Sequence, residues 1–286
     1  MSRGYIVIAQ NNETTDYLEQ AYALALSLKI TQSEVSNLSV CVEKGTKVPK
    51  KYRAVFDKVI DIPWNDESID AEWKINNKWK FLYMTPYDET VILDTDMVFP
   101  SDVSYWWDIM SEKEIWATTN VKTFRGECAK DHPRYREYFA LNNLPNIYSA
   151  FFYFKKSELT SEFFKLVELI MQNWEKFYFE FMPKGKPEFL SGDVAYALAI
   201  KLLGVESKTT MDHIDELPSF THMKSYMQGL KDGSLLDDNW TASIPTYFTS
   251  IKDFKIGNFQ QQYPFHYVDK SWLTEDIIKS MEDELR

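Results

Sequence analysis

Two aspartates one residue apart, Asp94 and Asp96, interrupt the otherwise apolar run VILDTDMVF. Carboxylates placed in such a run cost free energy unless something compensates their charge. Two convergent carboxylates are hard oxygen donors suited to Mg²⁺ or Mn²⁺, and such an ion neutralises phosphate oxygens. A solvated turn at a strand end is the bland alternative, and the spacing alone does not separate the two readings.

Nine glycines sharpen the question. No two lie two or five residues apart, so both common glycine-rich phosphate loops are absent. The pair Gly229 and Gly233 brackets Lys231 where a nucleophile elbow needs serine. A bound diphosphate would therefore depend on a cation and a few placed lysines.

Composition narrows the partners. The 286 residues are 44% hydrophobic and 16% aromatic, which suits a well-packed protein with one large core or two small ones. A net charge of −11 disfavours broad attraction to nucleic acid or to an anionic membrane, without excluding a local basic groove. Cys41 and Cys128 offer neither a disulfide framework nor a C-x-x-C site. No apolar stretch reaches membrane-spanning length and no signal peptide is legible, so the expectation is a cytoplasmic protein, in the host cytoplasm if viral.

The elements that must position the aspartates are legible as alternating strands and helices. GYIVIAQ, LSVCVE, KVIDIPW and TVILDTDMVF read as strands, and YLEQAYALALSLK as the first helix. Residues 73–85 read as a helix leading into the aspartates. IWATTNV and YSAFFYFKK read as later strands, with helices at WWDIMSE, over about 160–181, after Asp193 and at the C-terminus. This alternation predicts an α/β fold with a mostly parallel, doubly wound sheet, its ligand crevice at the carboxyl ends of the strands.

Three spaced elements resemble the GT-A glycosyltransferases, most closely the glycogenin and glycosyltransferase family 8 group. IVIAQNNETTDYLEQAYALALSLK is similar to the family's first strand, nucleotide loop and helix; NNKWKFLYMTPYDETVILDTDMVF to its lysine-bearing helix and D-x-D; and YSAFFYFKKS with SGDVAYALA to its sugar-side strand and helix. The matches span about residues 4–200. Tyr148 and Ala150 stand where the family has Asn and Gly, and Val194 where it has Gln, so donor sugar and acceptor do not carry over.

The resemblance implies a single GT-A-like catalytic domain over 1–286. Residues 1–205 would form a Rossmann-like nucleotide-sugar core, and 206–286 an α-rich extension completing the site. It implies a UDP-sugar donor seated by Ala9, Gln10, Asn11 and Tyr17, with Thr95, Lys78 and Lys270 also at the donor, and a Mn²⁺ or Mg²⁺ ion on Asp94 and Asp96. A histidine near the domain's end completes such metal sites. His266 in PFHYVDKSW fits best, His222 beside Lys224 in FTHMK is the rival, and His132 and His213 have no comparable setting. Asp193 is either a first-turn helix charge or a contact to the donor sugar or acceptor. Lys122, Arg125, Lys130, Arg134 and Arg136 form a local basic excess that reads as a solvated loop or as a surface for an anionic acceptor.

The function so implied is a metal-dependent hexosyl- or pentosyltransferase, with retention of anomeric configuration left open. Its acceptor could be protein, lipid-linked glycan, free sugar or a hydroxymethylated base of viral DNA. A nucleotidyltransferase and a catalytically weak nucleotide-sugar binder are the alternatives.

Overall fold

The computed structural model describes residues 1–68, 74–119, 121–129, 136–210, 218–223 and 239–286. Lys130, Arg134, His132, His213 and Lys224 lie outside these residues.

The chain begins with β1 (Arg3–Ile8), α1 (Tyr17–Thr31), β2 (Leu38–Val42), the single turn α2 (Lys50–Arg53), β3 (Lys58–Asp61), the single turn α3 (Phe81–Met84) and β4 (Glu89–Leu93). Next come β5 (Met97–Val98), α4 (Trp106–Ser111), β6 (Ile115–Thr118), β7 (Val121–Lys122), α5 (Glu137–Leu141) and β8 (Tyr148–Lys155). After these follow α6 (Glu158–Gln172), α7 (Trp174–Phe181), α8 (Gly192–Leu203), α9 (Glu206–Thr209), β9 (Phe220–His222), β10 (Thr246–Ser250), β11 (Asp253–Ile256), β12 (Phe259–Gln260), β13 (Phe265–His266) and α10 (Glu275–Glu284).

A six-stranded sheet in the order β3-β2-β1-β4-β8-β6 forms the centre. β3, β2, β1 and β4 run parallel to one another, and β8 is antiparallel to both β4 and β6. The expected α/β class and mostly parallel sheet are therefore met. Period-two alternation builds two cores: Tyr5, Val7, Val91 and Tyr153 face the layer containing α1, whereas Ile6, Ile92, Phe152 and Phe154 face the layer of α6 and α8. Each fully buried Phe contributes about 2–3 kcal/mol of transfer free energy. Among the described residues no helix is long and apolar enough to cross a membrane.

Local chemistry sets the helix ends. Asp16 caps α1 by accepting from the Glu19 amide at 3.0 Å. Ser157 and Thr160 form a capping box that starts α6 at Glu158. The helix expected over about 160–181 breaks at Asn173, whose side-chain amide donates back to the Leu169 carbonyl at 3.0 Å and competes with the helical ladder.

Three further expectations change. The helix expected over 73–85 is, among its described residues, a 3₁₀ turn at Lys78–Lys80 followed by α3. Buried Asn77 explains the shortening, because its amide donates to Gln10 at 2.8 Å and Asp66 at 2.6 Å instead of facing a helix surface. The strand expected through TVILDTDMVF ends at Leu93, and Met97–Val98 pairs in a different sheet, β5-β13-β9-β7. The region after residue 205, expected to be α-rich, has five short strands beside α9 and α10 among its described residues. Alternation in DFKI, with Phe254 and Ile256 buried and Asp253 and Lys255 exposed, explains the β10-β11 hairpin there.

Candidate functional site

Strand order reverses beside β1, with β2 and β3 on one side and β4 on the other. Loops leaving the carboxyl ends of β1 and β4 therefore open onto one crevice, the usual ligand position in such sheets. A cavity of about 570 Å³ occupies it. Asn12, Thr14, Thr15 and Tyr17 line it from the first loop and the start of α1, Asp94, Thr95 and Asp96 from the end of β4, and Lys78 from the 3₁₀ turn. The opposite wall is His222, His266, Val268 and Lys270.

Asp96 is the most heavily engaged of these groups. Its Oδ2 lies 2.9 Å from His266 Nε2 and also accepts from Lys270 Nζ. β13 delivers this imidazole: it inserts between β5 and β9, setting His266 in register with Met97 on one side and His222 on the other. The Tyr267 amide donates to the Asp96 carbonyl at 3.1 Å and pins the same junction. Burial alone would raise the Asp96 carboxyl, but the charges of His266 and Lys270 hold it well below the usual carboxylate range.

Asp94, Asp96 and His266 bring one ligand atom each within 4.8 Å of one another. Two hard oxygens and an imidazole nitrogen suit Mn²⁺ or Mg²⁺, and Nε2 is the ring nitrogen turned toward the carboxylates. His266 Nδ1 is buried without a hydrogen-bond partner among the described residues, so the ring is oriented by its Nε2 contact to Asp96 and by packing; the His222 ring stands 4.8 Å away, edge to face. The donor set fits a divalent cation, and His266, not His222, is the histidine grouped with the two aspartates.

Lys78 is buried and donates to Asp94 Oδ1 at 2.7 Å. Its backbone carbonyl accepts from Tyr196 of α8 at 3.2 Å, which ties the turn to the helix behind it. Burial would favour the neutral amine, but Asp94, with smaller contributions from Asp193 and Asp96, raises the ammonium above its ordinary value.

Asp193, in the first turn of α8, is held by other groups. Its Oδ1 accepts from the Ser149 amide at 2.8 Å and the Ser149 hydroxyl at 2.7 Å, and its Oδ2 pairs with Arg136 Nη2 at 3.0 Å. Arg136 also donates to the Ile147 carbonyl at 2.7 Å, and its guanidinium lies 3.9 Å from the Phe139 ring centroid and 4.1 Å from that of Tyr148. The expectation that Arg136 faces an anionic acceptor is thus corrected: its side chain is 10% exposed and acts as an internal clamp. Lys122 is buried as well, with its ammonium 5.8 Å from the Tyr263 ring, so of the three residues of that basic group that the structure describes only Arg125 is exposed.

Of the residues expected at the nucleotide base, Tyr17 lines the crevice, with the Lys270 ammonium 5.8 Å from its ring. Ala9, Gln10 and Asn11 do not line it. The Ala9 amide donates to the Cys41 carbonyl at 2.8 Å, and the buried Gln10 amide joins Glu43, Asp66 and Asn77. Asn11 accepts from the Leu18 amide at 3.0 Å and donates to Asp16 at 2.9 Å, bracing the start of α1. The loop positions that line it are instead Asn12, Thr14 and Thr15, in the polar cluster NNETTD that the sequence marks as a loop. Thr95 lines the crevice, with its hydroxyl donating to Gln20 at 3.4 Å.

No protein-family profile and no curated protein matches the sequence. Similar solved structures are glycosyltransferases. Mouse xyloside xylosyltransferase 1 in its apo form is 13% identical over 74% of this chain and 84% of that one, with a TM-score of 0.46. The galactosyltransferase LgtC, in complex with donor and acceptor sugar analogues, is 12% identical over 69% of this chain and 70% of that one, at 0.44. The glycosyltransferase GlyE of Streptococcus pneumoniae is 10% identical over 74% of this chain and 46% of that one, at 0.43.

Proposed function

We propose that the chain is a metal-dependent glycosyltransferase that moves a sugar from a nucleotide donor, UDP-linked by the resemblance of its first loop and helix, onto an acceptor. The observation that supports this reading best is the convergence of Asp94, Asp96 and His266 with Lys78 and Lys270 on one crevice at the carboxyl edge of the sheet. In a chain without glycine phosphate loops, this is the grouping suited to a diphosphate.

Asp94, Asp96 and His266 would hold the cation, which when bound supplies positive charge to the oxygens of the leaving nucleotide diphosphate. Lys78 and Lys270 now neutralise the two aspartates one to one. Once a cation shares that role, their ammonium groups can turn to phosphate oxygens, at point-charge strength and without a fixed bidentate geometry. Tyr17 presents an aromatic face at the start of α1 on which a pyrimidine can stack. Asp193 acts through Arg136 and Ser149, holding the sugar-side strand β8 against α8.

Thermal shift with UDP and Mn²⁺, followed by a panel of UDP-sugars scored for donor hydrolysis, tests the reading. Stabilisation that needs both components, with release of UDP from at least one donor, is expected. No stabilisation sinks the proposal, and release of sugar 1-phosphate in place of UDP would point instead to nucleotidyl transfer.

A further inference from the structure

A second cavity, about 410 Å³, shares no lining residue with the crevice and is walled by Trp64, Asn65, Glu67, Trp79, Tyr83 and Glu168. Trp64 and Trp79 stack with centroids 5.7 Å apart and planes 7° from parallel, and Tyr83 meets both edge-on at 5.0 and 6.1 Å. The arrangement is braced from below: Trp79 Nε1 donates to Glu67 at 3.0 Å, and the buried Lys80 ammonium lies 5.2 Å from the Trp79 ring and donates to the Asn65 carbonyl.

Trp64 is the unusual member. Its backbone is left-handed, with φ of 59°, which bulky side chains adopt only under constraint, and the residue is 65% exposed. Neither feature serves the core. A strained backbone that holds a large apolar face out to water is instead the pattern of a prepared binding surface.

The rim decides which ligand suits it. Glu67, Glu168 and Asn65 offer acceptor oxygens around a flat aromatic face. A sugar ring has the matching chemistry: one face of C–H groups to lie on the indole, and hydroxyl donors at its edge. Phosphorylated ligands meet two carboxylates of like charge, and a wholly apolar ligand leaves the rim unused. A cation is disfavoured because the Lys80 ammonium already lies in the field of Glu67 and Glu168. We propose that Trp64, Trp79 and Tyr83 form a binding platform for a neutral saccharide, separate from the donor crevice.

Saturation-transfer NMR on the whole protein, without nucleotide or metal, tests this apart from any transferase activity. The probes are neutral gluco-, galacto-, manno- and xylo-oligosaccharides at millimolar concentration. Transfer to C–H protons of at least one series is expected. Trp64→Gly, which removes the ring and relieves the left-handed strain, should weaken it roughly tenfold with the melting temperature kept, the scale of one stacked ring. Tyr83→Ala, which leaves the Trp64 backbone untouched, should weaken it in the same direction. Absence of transfer in every series, transfer unchanged in folded Trp64→Gly, or Trp64-dependent binding of tetramethylammonium in place of the sugars would each overturn the proposal.

Discussion

His266 and His222 stand in register on adjacent parallel strands with their rings 4.8 Å apart, yet it is His266 Nε2 that lies 2.9 Å from Asp96. Replacing each in turn distinguishes a ligand from its neighbour. His266→Ala should weaken Mn²⁺ binding by about 10–100-fold, whereas His222→Ala should change it by less than about threefold. Titration of metal-dependent stabilisation reads both; equal losses would refute the assignment.

Asp96→Asn should abolish UDP-Mn²⁺ stabilisation and reduce donor hydrolysis by at least about a hundredfold. The variant should also be less stable, since the carboxylate is buried against His266 and Lys270 and its loss strands their positive charge. Circular dichroism separates lost activity from lost fold, and a folded Asp96→Asn protein with full hydrolysis would sink the metal site.

Arg136 is expected to matter for stability rather than for an anionic acceptor. Arg136→Met leaves Asp193 without its partner and uncaps two aromatic rings. A loss of about 2–3 kcal/mol in urea unfolding follows, less than for a fully buried pair because Asp193 keeps some solvent. Any residual transferase activity should show an unchanged acceptor KM, and a raised KM at full stability would restore the binding role.

Asp66 should give part of the acid sensitivity. Partial burial would raise its carboxyl, but hydrogen bonds from Asn77, the Ser68 amide and Gln10, with the Lys80 charge, lower it overall. The folded carboxyl thus stays ionised where the unfolded one, near pH 4, takes up a proton. Its contribution is full above that pH and lost as the pH falls through the folded value. Asp66→Asn should flatten the acid limb of stability against pH, and an unchanged limb would refute this.

Gly4 is held to glycine by Tyr87, whose ring carbon Cζ lies 2.3 Å from where a Cβ would sit. Tyr87 cannot retreat cheaply, because its hydroxyl bonds Ser39 at 2.7 Å and Asp57 at 2.9 Å. Gly4→Ala should cost about 2–3 kcal/mol, measured by thermal or urea unfolding.

The sequence by itself determined the layered α/β plan and the two aspartates. Both are local signals: β-branched runs alternate with helical periods, and charge interrupts a strand where the backbone must leave the sheet. It determined less where side chains compete with the backbone, as at Asn77 and Asn173, because a polar side chain's partners lie outside its own window.

Only the tertiary structure decided which histidine meets Asp96. That choice follows from β13 inserting between β5 and β9, a pairing that joins residue 266 to residues 97 and 222, about 169 and 44 positions away, and no local pattern encodes such a register. The same holds for the Arg136 clamp on Asp193 and for the stack of Trp64 on Trp79. In each case the residue types were visible in the chain, but their roles depend on contacts made only when distant segments pack.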